Sequence, residues 1–334
     1  VEGESLIESE EELKEERGRS VEVRVPASTS NLGAGFDCFG LALQLHLTVR
    51  ATAVPGSTVP CRVSSSAALG PSVSSQSCAA SATGAEDNLI FRAMRYVAER
   101  EGFSLPPVRL AVHNDVPMGR GLGSSAAAIL AGLKLCPALC EREISTETIL
   151  RYAFEMEGHA DNVAASLYGG WVVTCLKDDG GVLAVKRRWP TDLKVIVVSP
   201  DLHLNTAEAR SCLPRTVARE AAIYNLQRTA LFVAALDTAR YELLWEAMQD
   251  RLHQAHRQAL VPGLSDALAI ERQPGLVGLA LSGSGPSVVA LASDNFAEIG
   301  DQIAHSFRRQ GVAATVRLLE VDNDGLRTLK PSRS

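Results

Sequence analysis

Three glycines at alternate positions, Gly119, Gly121 and Gly123, stand between a strand-like segment and a helix-like one, and this limits the fold most. Before them, Val108, Leu110 and Val112 have the period of a strand, closed by Asn114, Asp115 and Pro117. After them, the small and apolar run from Ser125 to Cys136 predicts a buried helix. Such a loop lets the backbone approach a ligand and turns successive N–H groups toward one point. The positive end of the helix dipole adds to them, so the unit suits an anion such as a phosphate chain. Ser124 and Ser125 can cap the helix or donate to a phosphate or Mg2+. The lysine of a Walker A loop is absent.

Two other readings of this loop compete. One is a tight turn followed by a capped helix. The other is a nucleophile elbow, since Gly123-Ser124-Ser125-Ala126-Ala127 is G-x-S-x-G with its last glycine replaced. His159, His253, His256 and His305 could serve such a hydrolase, but Ser125 leads a small-residue helix without the usual surroundings.

Composition narrows the choice of partner. A net charge of −6 over 334 residues argues against nucleic acid, which needs a basic surface. Seven scattered cysteines form a poor disulfide framework and suit a reducing compartment. No run of 18 apolar residues predicts a membrane span. Residues 1–20 are rich in glutamate, lack a signal-peptide core, and read as a solvated extension of a cytoplasmic protein.

Elsewhere, Val21, Val23 and Val25 predict a strand ending at Pro26, and Leu41 to Val49 a second, cleaner one. Residues 61–84 are serine-rich and read as a loop or flap; with Asn88 they are candidates for an adenine pocket. Residues 145–157 and most of 206–260 have helical patterns. Lys194–Val198, Val277–Leu281 and Val288–Ala292 predict strands, and Phe296, Ile299, Ile303 and Phe307 share one helical face. The mixture is α+β.

Two further glycine loops flank this pattern: Pro26-Ala27-Ser28-Thr29-Ser30-Asn31-Leu32-Gly33-Ala34-Gly35-Phe36-Asp37 and Leu281-Ser282-Gly283-Ser284-Gly285-Pro286. In this order and spacing, the three loops resemble the motifs of the GHMP kinases. There the second motif wraps the ATP phosphates, the third supports the same site, and the first bears substrate contacts. The resemblance implies a two-lobed α+β fold with the active site between the lobes. Residues 21–185 would form a ribosomal-protein-S5-like α/β lobe that binds ATP, and residues 186–325 a ferredoxin-like α+β lobe.

Over residues 21–320 the likeness narrows to the homoserine kinases of that family. The first motif is similar to their P-A-T-S-A-N-L-G-P-G-F-D, with Ala34 where proline is usual. Glu157-Gly158-His159-Ala160-Asp161-Asn162 is similar to E-G-H-P-D-N, again with alanine for proline. Thr206-Ala207-Glu208-Ala209-Arg210 resembles one arginine-bearing segment, and Asp250, His253, Arg257 and Pro262-Gly263 a second. This implies ATP as co-substrate, Mg2+, and L-homoserine as acceptor. It implies neither a nucleic-acid nor a membrane partner, and homodimers are common in the family.

Residue by residue, the resemblance assigns Pro117, Met118, Gly119, Arg120, Gly121, Leu122, Gly123, Ser124, Ser125, Ala126 and Ala127 to ATP. Ser282, Gly283, Ser284 and Gly285 support them. Asn31, Asp37, His159, Asn162, Arg210 and Arg257 fall to the substrate, with Asp37 at its ammonium and the two arginines clamping its α-carboxylate. Glu157 and Ser125 fall to Mg2+, with Glu155 as a rival one helix turn away. By analogy Asn162 orients the attacking hydroxyl; the alternative makes Asp161 a general base. By themselves, Asn31 and Asp37 could merely bond their own turn, and both arginines could be solvated.

Overall fold

The computed structural model describes residues 18–66 and 87–329. The glutamate-rich segment before Gly18 and most of the serine-rich stretch 61–84 lie outside the described residues.

The first lobe is a seven-stranded sheet among the described residues. Strand β1 (Ser20–Ser30) pairs antiparallel with β2 (Phe39–Ala53). It does not stop at Pro26 as expected. The register shifts between Pro26 and Ala27, where β2 carries the extra residues Gln44 and Leu45. Such an irregularity accommodates a proline that cannot donate to the ladder, and pairing resumes through Ser30. Ser28, Thr29 and Ser30 are thereby held on an extended, buried backbone.

Strand β3 (Cys61–Ser66) lies parallel to β4 (Val108–Asn114), with α1 (Leu89–Glu101) between them in sequence. Strand β4 pairs antiparallel with β2. Asn88 caps α1 by accepting from the Ile90 and Phe91 N–H groups, which gives this adenine-pocket candidate a structural task. Helix α2 (Ser124–Leu139) packs on α1 and β1. Its small residues allow close approach: a Cβ on Gly132 would strike the Ile90 carbonyl. Helices α3 (Thr146–Glu157) and α4 (Asp161–Tyr168) complete the layer. The hairpin of β5 (Trp171–Leu176) and β6 (Val182–Arg187) pairs with the start of β2.

The second lobe contains β7 (Lys194–Pro200), then helices α5 (Thr206–Ser211), α6 (Arg219–Asp237), α7 (Leu244–Ala247), α8 (Gln254–Arg257) and α9 (Leu264–Leu268). Next come β8 (Leu276–Leu281), β9 (Val288–Ala292), α10 (Phe296–Arg308) and β10 (Ala314–Leu319). The sheet order β10-β7-β9-β8, antiparallel throughout, is the ferredoxin-like one. Strand β7 is continuously apolar because both its faces are buried. Val195 and Val197 join the core shared with the first lobe, whereas Ile196 and Val198 face a second core that includes Ile299, Ile303 and Phe307 of α10.

After β10 the chain returns to the first sheet. Val321 bridges to Leu43, and β11 (Arg327–Leu329) pairs with β1. Asp322 anchors this return. It accepts from His46 Nε2 at 2.8 Å, Arg327 Nη2 at 2.6 Å, and the Asp324 and Gly325 N–H groups at 2.9 Å. Burial disfavours its charge, but these donors and the Arg327 cation outweigh it and bring its pKa down to about 2. A depressed carboxyl pKa adds stability above its unfolded value, lost as pH falls toward 2. Asp322→Asn should therefore destabilise the protein by roughly 2 kcal/mol at pH 7. Urea unfolding measured at pH 7 and at pH 2.5 should show that difference shrinking at the lower pH.

Candidate active site

The second glycine loop, the candidate phosphate loop, leaves β4 and enters α2 through Gly119, Gly121 and Gly123, at φ 63°, 71° and 67°. Side chains are strained there, and two neighbours also forbid them. A Cβ on Gly121 would strike the Ser282 carbonyl, and one on Gly123 the Ser28 hydroxyl. No side chain caps α2. Its first backbone bond runs from Ala127 N to Gly123 O, which leaves the Ser124, Ser125 and Ala126 N–H groups as first-turn donors.

The other two loops are bonded to this one. Ser28 N donates to Leu122 O at 3.1 Å, and Gly283 N to Ser30 O at 3.2 Å. Ser282 Oγ lies 2.7 Å from Gly121 O and 2.8 Å from Thr29 Oγ1. Asn31, at φ 72°, accepts from Asp37 N at 3.0 Å and donates to Gly283 O at 2.9 Å. Its amide, expected at the substrate, thus also closes the first loop onto the third.

Together the loops frame a cleft that opens to solvent. Of the residues expected at ATP, Gly119, Gly121, Leu122, Gly123, Ser124 and Ser125 line it. Ala126 and Ala127 are buried in the core, and Met118 is exposed. Arg120 turns its guanidinium to Pro200 O and Asp201 instead. Gly283 and Ser284 line the cleft, while Ser282 is fully buried as the tie between loops.

On one wall, Glu157 ends α3 and accepts from Ser125 Oγ at 2.6 Å. Glu155 is engaged elsewhere, by Arg100 Nη2 at 2.6 Å and by the Tyr96 hydroxyl, so Glu157 is the carboxylate at the loop. A hydroxyl and a carboxylate beside the free first-turn N–H groups are hard oxygen donors that fit Mg2+, which takes one or two protein ligands and fills the rest with phosphate and water. No group of three or more His, Cys, Asp or Glu residues is arranged as a metal cage among the described residues.

Gly158, left-handed at φ 85°, turns the chain from α3 to His159 and then into α4. The His159 Nδ1 lies 3.3 Å from Asp161 Oδ1, and Nε2 lies 3.8 Å from Glu157 Oε1. Burial works against an imidazolium here, but the two carboxylates outweigh it and raise the His159 pKa. Asn162 is buried, with Nδ2 donating to Ser30 Oγ at 2.8 Å and Oδ1 accepting from Ser28 Oγ at 3.0 Å. Its Oδ1 keeps acceptor capacity, and the residue lines the cleft.

Also lining the cleft, Arg210 from α5 meets Asp37 through two bonds, Nη2 to Oδ1 at 2.7 Å and Nη1 to Oδ2 at 3.1 Å. The two residues expected at opposite charges of one substrate therefore neutralise each other. Arg257 is buried, donating from Nε to Ala209 O and from Nη1 to Gly283 O and His253 Nδ1. Desolvation, then the nearby Arg210 cation, lowers its pKa. Phe36 lies beneath both guanidiniums, at 5.9 and 5.4 Å, and stacks on His253. His253 is fully buried with Nε2 2.9 Å from Gly33 O, while Asp250 accepts the N–H groups of residues 252–254. These two residues brace the first loop rather than face the cleft.

Sequence reasoning quoted Ser30, Phe36 and Thr206 within its motifs but gave them no role, and it missed Leu204; all four line the cleft, and Asn225, also missed, holds the Ala34 carbonyl and Asp250. The run Ser28-Thr29-Ser30 carried a signal: consecutive hydroxyls in a buried strand need partners, and the other loops supply them.

Three bonded glycine loops and an arginine–aspartate pair lining one cleft of a two-lobed α+β fold are the arrangement of a small-molecule kinase of the GHMP class. Residues 88–170 match the GHMP kinases N terminal domain, and residues 232–309 the GHMP kinases C terminal domain. A homoserine kinase of Desulfitobacterium hafniense is 39% identical over 306 residues, covering 91% of this chain and 98% of that one. One from Deinococcus radiodurans is 42% identical over 271 residues, covering 81% and 84%. The crystal structure of a homoserine kinase from Cytophaga hutchinsonii superposes with a TM-score of 0.79 at 27% identity, covering 93% and 97%. The chain belongs to the homoserine kinases of the GHMP kinase family.

Proposed function

We propose that the protein transfers the γ-phosphoryl group of ATP to the side-chain hydroxyl of L-homoserine, yielding O-phospho-L-homoserine for threonine biosynthesis. One observation carries this: an uncapped helix N-terminus with a Ser125–Glu157 pair shares a single cleft with the Asp37–Arg210 pair. The first pole suits a nucleoside triphosphate, and the second a zwitterion.

In this reading, the loop N–H groups hold the phosphates, and Ser125 and Glu157 hold Mg2+. The metal, when bound, would neutralise charge on the phosphate oxygens. Arg210 and Arg257 take the substrate carboxylate, and Asp37 takes its ammonium. Asn162, fixed by Ser28 and Ser30, accepts from the attacking hydroxyl with its remaining lone pair. Asp161 is buried against His159 and the Asn162 N–H, which supports a positioning role over that of base. Phosphoryl transfer relies on alignment and charge stabilisation, so no strong base is required.

The test is ADP release with Mg-ATP and a panel of homoserine, mevalonate, galactose and shikimate. Turnover with homoserine alone supports the reading; turnover only with another alcohol moves the acceptor, and silence with nucleotide still bound removes catalysis. For the proton, Asn162→Ala should lower kcat about 10- to 100-fold, with Asp161→Asn retaining measurable turnover. If only Asp161→Asn abolishes turnover while both substrates still bind, Asp161 is the base.

A further inference from the structure

Arg120 stands in the middle of the phosphate loop, yet its side chain leaves the cleft for the second lobe. Its Nη1 donates to Pro200 O at 2.6 Å and its Nη2 to Asp201 Oδ1 at 2.7 Å. Pro200 ends β7, and the Asp201 N–H is tied to Ala313 O at 2.6 Å, beside β10. From there the chain stays against the loops. Leu204 N donates to Gly119 O at 3.2 Å, and His203 packs where a Cβ on Gly119 would sit. Thr206, which opens α5, has its hydroxyl 3.4 Å from Ser284 Oγ in the third loop. Helix α5 then delivers Arg210 to Asp37. Residues 200–210 are thus a strap, fastened at one end to the phosphate loop and carrying the acceptor arginine at the other.

We infer that Arg120 is a positioning residue: with Asp201 it latches the phosphate loop to this strap and sets the distance between phosphate donor and acceptor hydroxyl. This role rests on the kinase reading above. The guanidinium does not line the cleft, so it acts through the loop and the strap rather than on a substrate. The two bonds are unequal. Asp201 is 58% exposed, and an ion pair so wet contributes little. Arg120 is 19% exposed, and its charge-assisted bond to the Pro200 carbonyl is the stronger hold. When catalysis depends on alignment, a small displacement lowers turnover while each substrate can still bind.

Steady-state kinetics of Arg120→Met, Arg120→Lys and Asp201→Ala test this, with thermal melts reporting the fold. Wild-type turnover of homoserine comes first; its absence overturns the kinase reading, and the latch with it. Arg120→Met should lower kcat about 10- to 100-fold, with KM for homoserine and for Mg-ATP within about threefold of wild type. Arg120→Lys, with a single charged head in place of the fork, should fall between, and Asp201→Ala should lose only a few-fold. A kcat for folded Arg120→Met within twofold of wild type overturns the latch. So does a loss confined to KM for Mg-ATP, which would make Arg120 a direct phosphate contact. Should Arg120→Met fail to fold, Arg120→Lys decides: a drop in kcat with both KM values held supports the latch, and an unchanged kcat overturns it.

Discussion

Glu157→Gln is expected to lower kcat/KM by about 10²- to 10³-fold, because a metal's charge stabilisation is worth several kcal/mol in a transition state. Glutamine keeps the shape and can still accept from Ser125 Oγ, so the loop wall should persist while the negative charge is lost. The signature lies in the metal dependence: the Mg2+ concentration for half-maximal rate should rise at least about tenfold. Ser125→Ala should show the same pattern more weakly, since it removes a neutral ligand. Glu155→Gln is the control, because that carboxylate belongs to the Tyr96–Arg100 cluster. An Mg2+ dependence and kcat unchanged by Glu157→Gln would remove Glu157 from the metal site.

Arg210→Ala should raise KM for homoserine by roughly 30- to 100-fold while KM for Mg-ATP moves less than about threefold. The effect exceeds the loss of one contact. Without its partner, Asp37 keeps a negative charge where a carboxylate must arrive, so attraction becomes repulsion. Arg257→Ala is a poorer probe: this buried guanidinium holds Ala209 O, Gly283 O and His253, so its removal should also lower the melting temperature. Homoserine kinetics unchanged in both variants would sink the carboxylate clamp.

Much of the site was legible because its signals are local. Gly119, Gly121 and Gly123 between an alternating segment and a small-residue run implied strand, anion-binding loop and helix; each glycine adopts positive φ, and the helix starts at Ser124. The strands at Leu41–Val49, Lys194–Val198 and Val288–Ala292 followed from period or continuous apolarity. Pro26 misled, because a strand can pass a proline through an irregularity that belongs to its partner's backbone. Helices α1, α4 and α9 and strands β5, β6, β10 and β11 went unseen, and β3 lies in the stretch read as a loop or flap; all but α1 are short, and β6 and β10 keep exposed apolar residues such as Val185 and Leu318.

The order and chemistry of three glycine loops, read from the chain alone, determined the family, the candidate phosphate-binding unit and the set of residues to watch. Backbone freedom at glycine and the donors of a first helical turn depend on a few neighbouring residues. Tertiary structure decided how those residues are used. It pairs Asp37 with Arg210 across 173 positions, ties Asn31 to Gly283 across 252, and turns Arg120 from the cleft to Asp201. It also separates Glu157 from Glu155, residues that share a helix but face different partners. A side chain's partner is set by how the two lobes and their loops pack, and no local periodicity encodes those distances.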